Sequence, residues 1–330
     1  MATVSSDKVT VLVVGTGSIG RRHVASLRHL LPDSRFVFLR RQAQADAYSE
    51  GVGARVVASL DEAMAAKPSF AVIAAPSAHH AELILPLLAA GIPMYIEKPV
   101  VTDRAQLEAV ELAADAAPHV VTLSGCNLRF LPSLIAARGL LHGGAIGRVV
   151  RASLQTGQWL PDWRPASDYR ASYSASPDLG GGVVLDLVHE LDAARWLLGE
   201  FDTITALGGH LSSLEIASED AAVIAMTRVN GPVVAIGLDS VARVPIRRYE
   251  FFGEKGTLTW DLPARRLEIV AGEARAPALD AAAFDVPLTY IAAMREFVEC
   301  VRDGRVSSQD LREGLRSAAL AIRINEEIRA

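Results

Sequence analysis

Val9-Thr10-Val11-Leu12-Val13-Val14-Gly15-Thr16-Gly17-Ser18-Ile19-Gly20 decides the fold: a run that is apolar apart from Thr10 passes straight into a glycine-rich turn, and Ile19–Leu31 then reads as a helix. Each glycine has a distinct use in such a turn. Gly15 permits the tight bend, Gly17 lets main chain approach a pyrophosphate, and Gly20 allows strand and helix to touch. The free N–H groups at the helix start, with Thr16, Ser18 and Ile19 around them, then face phosphate oxygens. A lone motif of this spacing is weak. Between an apolar strand and a helix, at the head of an alternating domain, it outweighs its rival, a plain strand–helix turn.

Outward from that turn, two textures alternate through residues 1–125. Arg35–Leu39, Phe70–Ala74, Met94–Ile96 and Val120–Ser124 are short strands. Ser59 with Glu62 opens a helix through Ala66 in the manner of a capping box, His79–Ala90 is a helix ended by Gly91, and another starts near Asp103. Apolar strands separated by helices predict a Rossmann-type, doubly wound parallel sheet of five or six strands.

The period changes after Ser124. Leu134–Leu141 reads as a helix and Val149–Gln155 as a strand, followed by a polar, aromatic-rich stretch from Trp159 to Tyr173. Gly180-Gly181-Gly182 then opens an apolar helix through Leu198. Beyond Thr203, Ala221–Thr227, Val233–Leu238, Tyr249–Phe252, Leu258–Trp260 and Leu267–Val270 are strands with no crossover helix between them, which predicts antiparallel pairing. Helices at about 290–301 and 309–328 close the chain, with Ser307 and Asp310 as a capping box. The expected division is a dinucleotide domain, 1–125, and an α+β substrate and oligomerisation domain, 126–330, whose last helix can pack back on the first.

Composition bounds the rest. Of 330 residues half are apolar and 22% charged, with a net charge of -5 and no basic stripe interleaved with aromatics, so nucleic acid is not an expected partner. Cys126 and Cys300 lack metal-type spacing and suit a reducing compartment. The first residues, MATVSSDK, do not resemble a secretory signal, and no apolar stretch approaches the roughly 18 residues a membrane span needs. A cytoplasmic location follows as the default.

NAD-selective sites usually carry an acid about 20 residues beyond the glycines, at the end of the second strand. Here Arg40 and Arg41 stand at that end. A guanidinium cannot accept from a ribose hydroxyl but pairs with a 2′-phosphate, which favours NADP(H) over NAD(H). Solvated surface arginines, or an arginine stacked on adenine that leaves NAD acceptable, explain the same residues.

Glu97-Lys98-Pro99 follows a strand on the ligand-binding edge, where the Lys98 ammonium could stabilise an alkoxide or exchange a proton. On position alone an exposed turn is the commoner explanation. Asp186, His189 and Asp192 recur at steps of three on an otherwise apolar helix, so all three can share one side. A histidine there suits removal of an alcohol proton, with Asp186 orienting it; an ordinary ion pair on a polar helix face is the alternative. Metal binding is disfavoured, since two carboxylates and one imidazole lack a fourth ligand. Trp163, Arg164, Tyr169 and Tyr173 in the preceding loop can clamp a polyhydroxylated or acidic substrate, and a subunit contact would use the same composition.

Over nearly its whole length the chain resembles the Gfo/Idh/MocA oxidoreductases. Val14 to His23 matches the opening motif of that family, and Ala75-Pro76-Ser77-Ala78-His79-His80 its second cofactor segment, with His80 on the family histidine and Ser77 in place of a frequent asparagine. Glu97-Lys98-Pro99 matches its most characteristic triplet, whose lysine is catalytic and often precedes a cis proline. Asn127-Leu128-Arg129-Phe130, Gly180-Gly181-Gly182 with Asp186 and His189, and Gly253-Glu254-Lys255-Gly256 match later segments. The resemblance implies that Ala75, Pro76, Ser77, His80, Glu97, Lys98 and Asn127 serve the cofactor and that Arg129 joins Asp186 and His189 on the substrate side. It also implies a large, open, mixed second sheet used for homodimers or homotetramers. Aspartate and histidine are usually four apart, whereas Asp186 and His189 are three apart. Some versions of these motifs belong to surface-polysaccharide sugar metabolism.

The expected chemistry is hydride transfer between nicotinamide C4 and a secondary alcohol or ketone of a sugar, nucleotide sugar, polyol or sugar acid. Two rivals are a cofactor-retaining, glycoside-cleaving or epimerising enzyme with no net redox change, and a non-catalytic dinucleotide sensor.

Overall fold

The computed structural model describes residues 9–163, 165, 167–270 and 274–329. It divides into two compact units, residues 1–126 with 290–318 and residues 127–289 with 319–330. Residues 290–318, placed by sequence in the second domain, belong to the first unit.

In the first unit β1 (Thr10–Val14), β2 (Arg35–Leu39), β3 (Arg55–Val57), β4 (Phe70–Ile73), β5 (Met94–Ile96) and β6 (Thr122–Ser124) form one sheet in the order β3-β2-β1-β4-β5-β6. Every pairing is parallel. Both faces are covered, so β4 is buried at all its residues and β1 at all but Thr10. Register then decides where ligands can meet the sheet. Val14 pairs with Leu39 and Ile73, Ile73 with Ile96, and Ile96 with Ser124. The turns beginning at Gly15, Arg40, Ala74, Glu97 and Gly125 therefore leave the sheet at one edge. Strand order reverses between β1 and β4, the crevice where such sheets bind ligands.

Helices α1 (Ser18–Leu30), α2 (Ala47–Val52), α3 (Leu60–Ala65), α4 (His80–Ala89) and α5 (Arg104–Ala116) connect these strands. The Ser59 side chain accepts from the Glu62 N–H, as expected, while Glu62 accepts from Ala58 N–H rather than from Ser59. Neither α2 nor β3 was anticipated: each is short, and their sequence is broken by Gly51 and Gly53.

The second unit contains α6 (Pro132–His142), β7 (Val149–Gly157), α7 (Val183–Asp186), α8 (Val188–Leu198), β8 (Thr203–Gly209), β9 (Ala221–Thr227), β10 (Val233–Asp239), β11 (Ile246–Gly253), β12 (Gly256–Asp261) and β13 (Arg266–Val270). Its seven-stranded sheet runs β13-β12-β11-β7-β10-β9-β8. Pairing is antiparallel except that β10 lies parallel to β7. The strands after Thr203 do pair antiparallel among themselves; the long connection carrying α7 and α8 supplies the crossover that makes the sheet mixed. Burial alternates along β9 and β10, leaving one apolar face. On that face Tyr249 and Trp260 pack with ring centroids 4.6 Å apart, and the Trp260 indole donates to Ser133 Oγ at 3.0 Å.

The chain closes with α9 (Val286–Asp303) and α10 (Leu311–Arg329). Asp310 accepts from the Glu313 N–H at the start of α10. Ser307, expected to be the cap, instead donates to the Thr122 carbonyl at 2.6 Å and ties this segment to β6. Among the described residues no helix is long and apolar enough to cross a membrane.

Candidate active site

The glycine turn of the first unit has the form its spacing predicts. Gly15 adopts φ +88°, and a Cβ there would run into the Ala74 main chain; a Cβ on Gly20 would overlap the Gly15 carbonyl. On Gly17 a Cβ would meet nothing within 4 Å. Gly17 is also the N-cap of α1, and no side chain caps that helix. Main-chain donors beside open space, with the positive end of a helix dipole behind them, fit a pyrophosphate. Gly17 and Ser18 are exposed, and Thr16 and Ile19 half-buried.

Two further turns on this edge are fastened together by His80, which is fully buried. Its Nδ1 lies 2.9 Å from the Pro99 carbonyl and its Nε2 2.9 Å from the Ala75 carbonyl. Burial holds its pKa below the ordinary imidazole value against the pull of both carbonyls. The neutral ring donates to one of them at a time. His80 thus acts as an internal strut between the Ala75-Pro76-Ser77 turn and the Lys98-Pro99 turn. Lys98 is half-buried and the Lys98–Pro99 peptide is cis.

Glu97 turns inward rather than toward a ligand. Its Oε1 lies 2.6 Å from His23 Nε2, and a Cβ on Gly125 would come within 3.2 Å of its carboxyl. Burial pushes this carboxyl up, but the His23 hydrogen bond and charge, with Lys98 nearby, bring it below its ordinary range. His23 Nδ1 and the Tyr95 hydroxyl are buried beside it without hydrogen-bond partners among the described residues. Asn127 is likewise buried, in the second unit, and donates to Thr289 Oγ1 at 2.6 Å.

At the end of β2, Arg40 forms a two-pronged pair with Asp46, Nη1 to Oδ2 and Nη2 to Oδ1, each at 3.2 Å. Arg41 is exposed, its Nη2 3.4 Å from His79 Nε2. No reading of the sequence singled out Asp46; the signal available was an acid immediately before a short helix.

In the second unit, the expected continuous helix after Gly182 breaks at Leu187, which sits at φ -100°, ψ 29°. Every residue from Val183 to Val188 is buried, a demand that one face of a straight helix cannot meet. Asp186 therefore ends α7 and is buried, while His189 lies in the first turn of α8 and is half-buried. The break falls between Asp186 and His189, so three-residue spacing alone does not put Asp186 on the side of α8 that carries His189 and Asp192. Asp192 is instead occupied by Arg129, whose Nε and Nη2 reach its two oxygens at 2.8 and 2.6 Å. Arg129, expected on the substrate side, is thus held in a buried ion pair.

Glu219 is a carboxylate that sequence reading missed. Gly182 at φ +114° leaves the room its carboxyl occupies, and Oε1 accepts from the Val184 N–H at 3.3 Å. Burial raises its pKa, and nearby Asp186 adds to the rise. In sequence, nothing in Ser218-Glu219-Asp220 sets Glu219 apart from other surface acids. In the long loop the Trp163 indole donates to the Gln158 carbonyl, the Tyr169 hydroxyl accepts from the Glu215 N–H at 3.4 Å, and Tyr173 is half-buried. Arg164 lies outside the described residues.

Comparison with known proteins agrees with this geometry. Residues 9–124 match the oxidoreductase family with an NAD-binding Rossmann fold, and residues 134–259 match the GFO/IDH/MocA C-terminal domain. The chain belongs to the Gfo/Idh/MocA family. It is 31% identical to the myo-inositol dehydrogenase Hyg17 of Streptomyces leeuwenhoekii over 258 residues, covering 76% of each protein. A myo-inositol dehydrogenase of Corynebacterium glutamicum has a similar structure, with 26% identity, a TM-score of 0.77, and 98% and 97% of the two chains covered. The WlbA dehydrogenase of Bordetella pertussis, solved with NADH and UDP-GlcNAcA, shares the fold at 22% identity and a TM-score of 0.84, over 99% and 97% of the chains. This Gfo/Idh/MocA protein is an NAD-binding oxidoreductase whose relatives include sugar and polyol dehydrogenases.

Proposed function

We propose that this enzyme interconverts a secondary alcohol and a ketone on a sugar, nucleotide sugar, polyol or sugar acid, using NADP(H) in preference to NAD(H). The observation that carries the reading is the uncapped start of α1 behind Gly17, where donors and open space suit a dinucleotide. When bound, the nicotinamide accepts or delivers hydride at C4. Lys98 stabilises negative charge developing on the substrate oxygen, His189 takes the hydroxyl proton, and Asp186 orients the imidazole. His80 and Glu97 act indirectly, keeping the main chain on either side of Lys98 in place.

The preference for NADP(H) rests on Arg40 and Arg41 and on the missing acid at the β2 end. The WlbA neighbour, which shares the fold, was solved with NADH, so support for the preference comes from this chain's own residues at the β2 end alone. The relatives' substrates support the polyol class. Leu207 and Val223 pair across β8 and β9 on the exposed sheet face, which supports a homodimer or homotetramer through that sheet. The buried thiols of Cys126 and Cys300 suit a cytoplasmic setting.

Turnover on a panel of polyols, sugar acids and nucleotide sugars, with each dinucleotide, tests this directly. Lys98→Ala should lose about a hundredfold or more in kcat while retaining dinucleotide binding. Near-normal activity would remove Lys98 from the mechanism, and a tenfold wild-type preference for NAD would refute the role of Arg40.

A further inference from the structure

Beyond Arg40, the chain runs Arg41-Gln42-Ala43-Gln44-Ala45-Asp46 before α2 begins. Arg40, Arg41, Gln42, Gln44, Ala45 and Asp46 line a solvent-open cavity of about 490 Å³. Register sets its place: Val14 pairs with Leu39, so Arg40 leaves β2 level with Gly15 leaving β1. The cavity consequently belongs to the same sheet edge as the phosphate turn, on the side where a dinucleotide carries its adenosine ribose.

Both members of the Arg40–Asp46 pair are held from behind. The Arg40 N–H donates to the Val57 carbonyl at 3.1 Å, which ties its main chain to β3. Asp46 caps α2: its Oδ1 accepts from the Ser49 N–H at 2.8 Å, and its own N–H donates to Ser49 Oγ at 2.8 Å. The hydrogen bond from the Ser49 N–H, with Ser49 Oγ and Arg40 adding to it, holds the Asp46 pKa at about 2. A full negative charge therefore stands at this rim at any working pH.

We propose that Asp46 is a specificity-determining residue, a clasp that occupies the Arg40 guanidinium and so sets how strongly the enzyme discriminates between NADP(H) and NAD(H). This deepens the cofactor reading given above and rests on it. The two N–H groups that would grip a 2′-phosphate are the two that now grip Asp46. To bind NADP(H), Arg40 must exchange one anion for another while the displaced carboxylate stays beside a phosphate of like charge. A 2′-hydroxyl requires no such exchange. Asp46 thus works selectively against the phosphorylated cofactor, and the preference conferred by Arg40 is narrower than an unpaired arginine would give.

Asp46→Asn separates this role from helix capping, because asparagine also accepts from the Ser49 N–H. Calorimetric titration of NAD+ and NADP+ into wild type, Asp46→Asn, Arg40→Gln and the double variant reads the effect, with thermal melts confirming folding. The affinity ratio of NADP+ to NAD+ should rise about tenfold in Asp46→Asn, the scale of one charge-assisted hydrogen bond. It should fall back in the double variant, since the gain acts through Arg40. If the ratio rises equally without Arg40, simple charge removal explains it and the clasp is overturned. A change within about twofold in Asp46→Asn also overturns it. If wild type binds neither dinucleotide, the cofactor reading falls, and the clasp with it; if both bind, only the clasp is at stake.

Discussion

Two arginine–aspartate pairs, one in each unit, have almost the same shape and opposite prospects. Arg129 and Asp192 meet at 2.6 and 2.8 Å with side chains 8% and 3% exposed, whereas Arg40 and Asp46 meet at 3.2 Å with side chains 16% and 45% exposed. Both arginines read from the sequence as ligand-binding groups. The buried one cannot leave its partner without stranding a charge in the core. The rim arginine has water and an open cavity beside it, so exchange of partner is affordable. Exposure of the pair, more than its geometry, separates a structural arginine from one that can serve a ligand.

The sharpest way to break this contrast is Asp192→Asn, which keeps shape and removes charge. It leaves the Arg129 guanidinium facing a neutral amide in the interior and should cost about 3–5 kcal/mol in urea unfolding. Asp46→Asn, at the rim, should leave the unfolding midpoint near that of wild type because the helix cap survives. A loss below about 1 kcal/mol for Asp192→Asn would mean that Arg129 is not committed to the core, returning it to the substrate side.

The glycine turn offers the same division within six residues, and it comes next in size. Gly20→Ala drives a methyl into the Gly15 carbonyl and should lower the melting temperature. Gly17→Ala places its methyl in open space and costs only the small loss of a poorer N-cap, yet stands where main chain must approach phosphate. Dinucleotide affinity should then drop by about tenfold to a hundredfold, the worth of one or two charge-assisted hydrogen bonds. Wild-type affinity in Gly17→Ala would show that the pyrophosphate does not rest there.

What was legible in sequence follows the same boundary between local and long-range causes. The parallel sheet and the turn at Gly15 to Gly20 were readable because strand burial and glycine spacing are local constraints. Lys98 was readable as a position after β5. The break at Leu187 was not, since it arises from burying every residue between Val183 and Val188 against other elements. Asp192 and Arg129 are 63 residues apart, and no periodicity announces their pairing. Asp46 and Glu219 were missed because an acid before a helix or a strand is usually only a cap or a turn residue. The capping box assigned to Ser307 and Asp310 did not form for a similar reason: Ser307 had a better partner in Thr122, and Asp310 became the cap itself.

His80 gives the smallest effect and the one most specific to the cofactor edge. Its pKa is depressed by burial below the ordinary value of 6.5, so the folded protein takes up its proton less readily than the unfolded chain. The resulting penalty is absent well above pH 6.5 and grows as pH falls from that value toward the depressed folded pKa. Asn in its place can still donate to one of the two carbonyls but does not titrate. Stability of wild type relative to His80→Asn should therefore decline between pH 7.5 and pH 5, with the variant supplying the baseline for all other groups. Parallel pH profiles for the two proteins would mean that folding leaves the proton affinity of the imidazole unchanged, while a wild type that gained stability toward low pH would mean that the strut is an ion, donating to Ala75 and Pro99 together, rather than a neutral ring.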